Sequence, residues 1–204
     1  MGAYYEYQLT YEPTPEKKRT ICVPTLGGHK FCEMFYGCTD NTLLLLSLIQ
    51  KYGEVIVNTV CDCDKEGTFI NAVPFDSGDK LNFTERRLIS RIQKMEAPEY
   101  LCMCKFFSQF FTICDERKEY VGLAPFILED LALSPIALLT RSSKDMQGGG
   151  DFGVESIESG AFVTYWRFSP YLVGAWKDCK IYLCDHKPDG YRDVTKNIFA
   201  QEKV

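Results

Sequence analysis

The stretch Ala3-Tyr4-Tyr5-Glu6-Tyr7-Gln8-Leu9-Thr10-Tyr11 sets Ala3, Tyr5, Tyr7, Leu9 and Tyr11 on one side and Tyr4, Glu6, Gln8 and Thr10 on the other. That period of two is the signature of a half-buried strand. Pro13-Thr14-Pro15 then breaks the chain, and Thr20 to Val23 and Lys30 to Tyr36 read as a hairpin joined through Leu26-Gly27-Gly28. Asp40-Asn41-Thr42 offers capping side chains ahead of Leu43 to Tyr52, whose apolar residues run almost all round, and Gly53 supplies a stop. These features predict a buried helix.

Further along, Glu54 to Cys61 and Thr68 to Val73 read as a second hairpin around Asp64-Lys65-Glu66-Gly67. Asn82 caps a helix expected to run through Met95, with Leu88, Ile89, Ile92 and Met95 inward. Pro98 suits a first helical position, and Met103, Phe106, Phe107, Phe110, Phe111 and Cys114 fit a helical stripe, a strand being the alternative reading there. Tyr120 to Leu128 reads as a strand and Ser134-Pro135 as the start of a short helix through Leu139. Arg141 to Gly160 collects serines, glycines and alternating charge, so residues 142–159 are expected to form a mobile loop. Ala161 to Phe168 and Lys177 to Cys184 resume strand character before the turn Lys187-Pro188-Asp189-Gly190. Strands and helices without regular βαβ alternation predict an α+β fold, a mainly antiparallel sheet of hairpins with three or four helices, in one compact domain over residues 1–204.

Composition excludes several classes. At 46% hydrophobic and 25% charged residues, the chain is neither disordered nor of low complexity. A membrane span needs about 20 apolar residues, whereas the longest strongly apolar run is Leu43 to Ile49, broken by Ser47. No membrane association is expected. The opening Met1-Gly2-Ala3-Tyr4-Tyr5-Glu6 has neither the basic start nor the apolar centre of an export signal. A cytoplasmic location is therefore expected, with the ten cysteines reduced and most of them core filler.

The formal net charge of −5 is distributed unevenly. From Glu54 to Asp79 six acids stand against Lys65, and from Lys80 to Lys94 five bases stand against Glu85. Glu54, Asp62, Asp64 and Glu66 are the candidate surface for a protein partner with a basic face. Arg86, Arg87, Arg91 and Lys94 form a basic helical stripe, the candidate surface for RNA.

Catalytic signatures are weak, and no catalytic residue is assigned. Cys61-Asp62-Cys63 and Cys102-Met103-Cys104 fit four thiolates on zinc only if both pairs lie on strands, and the second pair has a helical pattern. Neither a metal nor a cofactor is expected. Cys184 and His186, two apart, share a strand face if the strand persists, and Cys32 or Cys38 pairs with His29 only by proximity in sequence. Asp62 and Asp64, sharing a strand face with Glu54, have the residue types of a metal-dependent hydrolase, as does Asp178-Cys179-Lys180, which lacks an evident acidic partner on another strand. Gly148-Gly149-Gly150-Asp151-Phe152-Gly153 lacks the lysine of a phosphate-binding loop. The leading expectation is a small protein-binding or inhibitor module that engages a nucleic-acid-handling partner. Host-defence inhibitors of the CRISPR-nuclease type, carried by viruses or mobile elements, are of this kind. An RNA-binding or RNA-processing protein is the alternative, and a metal-dependent hydrolase the third reading.

Overall fold

The computed structural model describes residues 5–23, 40–61, 81–122, 135–142 and 172–195. Among these the elements are β1 (Tyr5–Thr14), β2 (Lys17–Val23), α1 (Asp40–Tyr52), β3 (Val55–Cys61), α2 (Phe83–Gln93), α3 (Ala97–Phe107), β4 (Phe111–Cys114), β5 (Glu119–Gly122), α4 (Ile136–Leu139), β6 (Lys180–Cys184) and β7 (Arg192–Asp193). The strands form one seven-stranded sheet in the order β2-β1-β3-β6-β4-β5-β7. Every pairing is antiparallel except β5 with β7, so the class is α+β as expected.

The alternation of β1 decides which sheet face meets the core. Tyr5, Tyr7, Leu9 and Tyr11 are buried, and cross-strand pairs Tyr7↔Thr59 and Leu9↔Val57 continue that face into β3. The first hairpin differs from the expected one. Thr20 to Val23 belongs to a strand that starts at Lys17 and pairs with β1, turning at Pro15-Glu16. Pro13 does not end β1, because the register shifts between Tyr11 and Thr14 and proline, which has no N–H for a ladder, is tolerated at such a bulge. Lys30 to Tyr36, Thr68 to Val73, residues 123–128 and Ala161 to Phe168 lie outside the described residues.

Helix α1 is apolar all round because it is the middle layer. It touches β1, β2 and β6 on one side and α2 and α3 on the other. Leu43 to Leu46, Leu48 and Ile49 are buried, while Ser47 satisfies its hydroxyl by donating to the Leu43 carbonyl at 2.7 Å. Gly53 ends the helix at φ 75° and donates to the Ile49 carbonyl, a left-handed cap that costs glycine least. With α1 in the middle, α2 and α3 become an outer layer.

Two segments depart from expectation. The helix expected through Cys114 stops at Phe107, and Phe111–Cys114 is a strand between β5 and β6. Thr112 and Ile113 are β-branched, and pairing on both edges overrides a helical apolar pattern that short runs cannot distinguish. Arg141 and Ser142, at the start of the expected loop, are buried. Thr59 donates to the Thr140 carbonyl at 2.8 Å, and Ser142 donates to the Thr59 carbonyl at 2.9 Å. They cover the end of β3 that β6, paired only with Val55 and Ile56, leaves open. Residues 143–159 lie outside the described residues.

Candidate nucleic-acid interface

The basic stripe is built from inside the fold outward. Asn82 caps α2 by accepting from the Glu85 N–H at 2.9 Å, and the Glu85 carboxylate reaches back to the Asn82 N–H at 2.6 Å, a capping box. The same carboxylate, 1% exposed, also accepts from the Tyr11 hydroxyl at 2.9 Å, the Tyr52 hydroxyl at 2.8 Å and Arg19 Nη2 at 2.9 Å. The two tyrosine rings stack with centroids 3.8 Å apart. One buried anion thus fixes α2 against β1, β2 and α1, and Ile92 is buried on the same side.

The opposite side is therefore held toward solvent. At about 3.6 residues per turn, Phe83, Arg87, Arg91 and Lys94 fall within an arc of about 80°, and all four are exposed. Phe83 is 72% exposed, unusual for a phenylalanine. Arg86 is also exposed and donates to the Leu81 carbonyl at 2.6 Å. Among the described residues no carboxylate lies within 4.0 Å of Arg87, Arg91 or Lys94. On α3, Leu101 and Phe106 are 60% and 43% exposed.

Of the acidic candidate, Glu54 lies among the described residues. Glu54 is exposed and lies 3.7 Å from Lys180 Nζ, with Glu12 at 4.0 Å from the same nitrogen. Asp62, Asp64 and Glu66 lie outside the described residues. The hydrolase candidate is drawn apart. Asp178, at φ 60°, accepts from the Asn58 amide at 2.8 Å and donates its N–H back to Asn58 at 3.1 Å, whereas Lys180 faces Glu12 and Glu54.

Among the cysteines, Cys102 is exposed and Cys104 half-buried on helix α3, and Cys61 is buried at the end of β3. Cys63, His29, Cys32 and Cys38 lie outside the described residues, as does the glycine run at 148–150. Cys114 and Cys179 are buried neighbours, and burial pushes the Cys114 thiol up to about 12. The structure does bring Cys184 and His186 together, with Sγ 3.2 Å from Nδ1, and Asp185 Oδ1 lies 2.8 Å from the same nitrogen.

Sequence reading missed three buried polar centres. The capping pattern Asn82-x-x-Glu85 was the available signal for the Glu85 centre. The second is Glu119, which accepts from Trp176 Nε1 at 2.7 Å and from Arg192. The third is Arg141, which donates to the Thr59 carbonyl at 3.2 Å and lies over the Tyr5 ring. Trp176 and Arg192 lie 57 and 73 positions from Glu119, and Thr59 lies 82 from Arg141, so no local pattern marks the second and third centres. Comparison with protein-family models, with curated proteins and with solved structures finds no match for this chain.

Proposed function

We propose that the chain is a cytoplasmic nucleic-acid-binding module that lays a single strand of RNA along the outer face of α2. The observation that carries this reading is the solvent-facing arc of Phe83, Arg87, Arg91 and Lys94, whose cations meet no carboxylate among the described residues. Cations one helical turn apart stand about 5–6 Å from one another at Cβ, a spacing that suits successive phosphates of one strand. Arginine takes phosphate through two parallel bonds, and an exposed aromatic ring offers a face for a base. The net charge of −5 disfavours broad duplex binding and favours a confined contact.

A second reading, a protein-binding module that inhibits a nucleic-acid-handling machine of a host-defence system, is supported by Leu101 and Phe106, exposed on α3. Apolar anchors of this kind fit a protein surface better than a phosphate backbone. Purification of the tagged chain from its native cells, with and without ribonuclease, separates the two. RNA recovered with the wild type and lost with R87A/R91A/K94A is the expected result. A protein that stays bound after ribonuclease, and stays bound to that variant, would overturn the first reading in favour of the second.

A further inference from the structure

Strand β6 ends in Cys184, and the two residues that follow turn back on it. The ladder holds Cys184 opposite Phe111, and Lys187 Nζ lies 5.4 Å and 5.8 Å from the ring centroids of Phe111 and Tyr120. The corner between these anchors is therefore fixed at both ends. Within it, Cys184 Sγ lies 3.2 Å from His186 Nδ1 and 3.6 Å from Nε2, and Asp185 Oδ1 lies 2.8 Å from Nδ1. The three donor atoms stand within 4.8 Å of one another.

Sγ is nearly equidistant from the two ring nitrogens, so neither lone pair points at it, and any link from sulfur to Nδ1, direct or through an ion, needs the exposed imidazole to turn. A metal ion suits all three donors together. With Zn–S of about 2.3 Å and Zn–N and Zn–O of about 2.0–2.2 Å, the edges of a zinc tetrahedron are about 3.3–3.6 Å. The Sγ to Nδ1 and Oδ1 to Nδ1 separations of 3.2 and 2.8 Å are short of those edges by a few tenths of an ångström, and the exposed imidazole reaches them by turning its Nδ1 lone pair between Sγ and Oδ1.

We propose that Cys184, Asp185 and His186 bind one zinc ion through Sγ, a carboxylate oxygen and Nδ1. Thiolate, imidazole and carboxylate together form a borderline donor set that suits zinc better than magnesium or calcium. Asp185 and His186 are exposed, so the fourth position faces solvent and takes water or a ligand from outside the chain. This departs from the sequence-based expectation of no metal, which discounted both the two Cys-x-Cys pairs and the cluster of Cys179, Cys184 and His186.

The test is titration of the purified full chain with Co2+ and then Zn2+. One Co2+ per chain is expected to give a thiolate-to-cobalt charge-transfer band, and one Zn2+ should remove it. C184S should abolish the band, whereas C102S, at an exposed thiol outside the corner, should keep it. Groups that only orient a metal ligand cost about 10- to 100-fold in affinity when removed, so H186A should weaken binding by at least about tenfold. His186 is exposed, and its loss does not threaten the fold. No band with the wild type, a band that survives C184S, or unchanged affinity in H186A would overturn the proposal. RNA binding by C184S should equal that of the wild type, which keeps this test separate from the function proposed for α2.

Discussion

Replacing Glu85 with alanine should destabilise the protein more than any single change on the surface of α2. The carboxylate is 1% exposed and receives four donors, from Tyr11, Tyr52, Arg19 and the Asn82 backbone. Removing one partner of a buried ion pair costs about 3–5 kcal/mol, and the buried Tyr11 hydroxyl, left without its acceptor, adds about 1 kcal/mol. A loss of about 4–6 kcal/mol is expected for E85A, a large share of the roughly 5–15 kcal/mol that holds a domain together. Glu85→Gln should lose only about 2–3 kcal/mol, because its amide NH2 can donate to the phenol oxygens while its carbonyl keeps Arg19 and the Asn82 N–H. Tyr11→Phe should cost about 1 kcal/mol in the wild type but recover about 1 kcal/mol in the E85A background, where the buried phenol has lost its acceptor. Urea unfolding of the four variants, followed by far-ultraviolet circular dichroism, measures these values. A loss below about 1 kcal/mol for E85A, or equal costs of Tyr11→Phe in both backgrounds, would refute the view of Glu85 as the anchor of α2.

Three further outcomes are expected. Gly174 has φ 65°, and a Cβ there would stand 2.6 Å from the Arg141 carbonyl oxygen, so G174A should cost roughly 2–5 kcal/mol in chemical denaturation; a neutral substitution would mean that the Gly174 and Trp176 N–H groups, which donate to the Leu138 and Leu139 carbonyls of α4 at 2.9 and 2.7 Å, do not hold this turn in place. Burial raises the carboxyl of Glu6 above its usual 4.5, so its contribution is fully favourable below that pH and is lost as pH rises through the folded value. The stability gained by Glu6→Gln should therefore grow from pH 4.5 upward, and a gain that does not change with pH would contradict the assignment. The Cys114 thiol, raised from 9.0 to about 12, keeps its proton in the folded state while the unfolded chain ionises, so wild-type stability should fall between these pH values. The slope from this one group is about 1.4 kcal/mol per pH unit, and Cys114→Ala should remove it.

The sequence displayed those parts of the fold whose cause is local. The alternation of Tyr5, Tyr7, Leu9 and Tyr11 foretold β1, and the apolar circumference of Leu43 to Tyr52 foretold a helix covered on two sides. It misled where a distant strand decided the outcome. Phe111 to Cys114 has helical spacing, but β5 and β6 offer hydrogen-bonding edges on both sides of it. Arg141 has the polarity of a loop residue, yet the open end of β3 draws it into the interior. Site residues followed the same division. The exposed stripe on α2 was legible because amphipathic period and charge coincide. The turn that brings Asp185 onto His186 depends on the strand ending at Cys184, which composition does not reveal.

Binding of a fluorescently labelled single-stranded RNA as a function of salt tests the role of α2 most directly. Each phosphate neutralised on a single strand contributes about −0.7 to the slope of log K against log salt. R87A/R91A/K94A should therefore weaken binding and flatten the slope by about 2 units. The charge reversal D62K/D64K/E66K should leave affinity equal or raise it. An unchanged slope in the α2 variant, together with weaker binding in the acidic variant, would contradict the assignment of RNA to this helix.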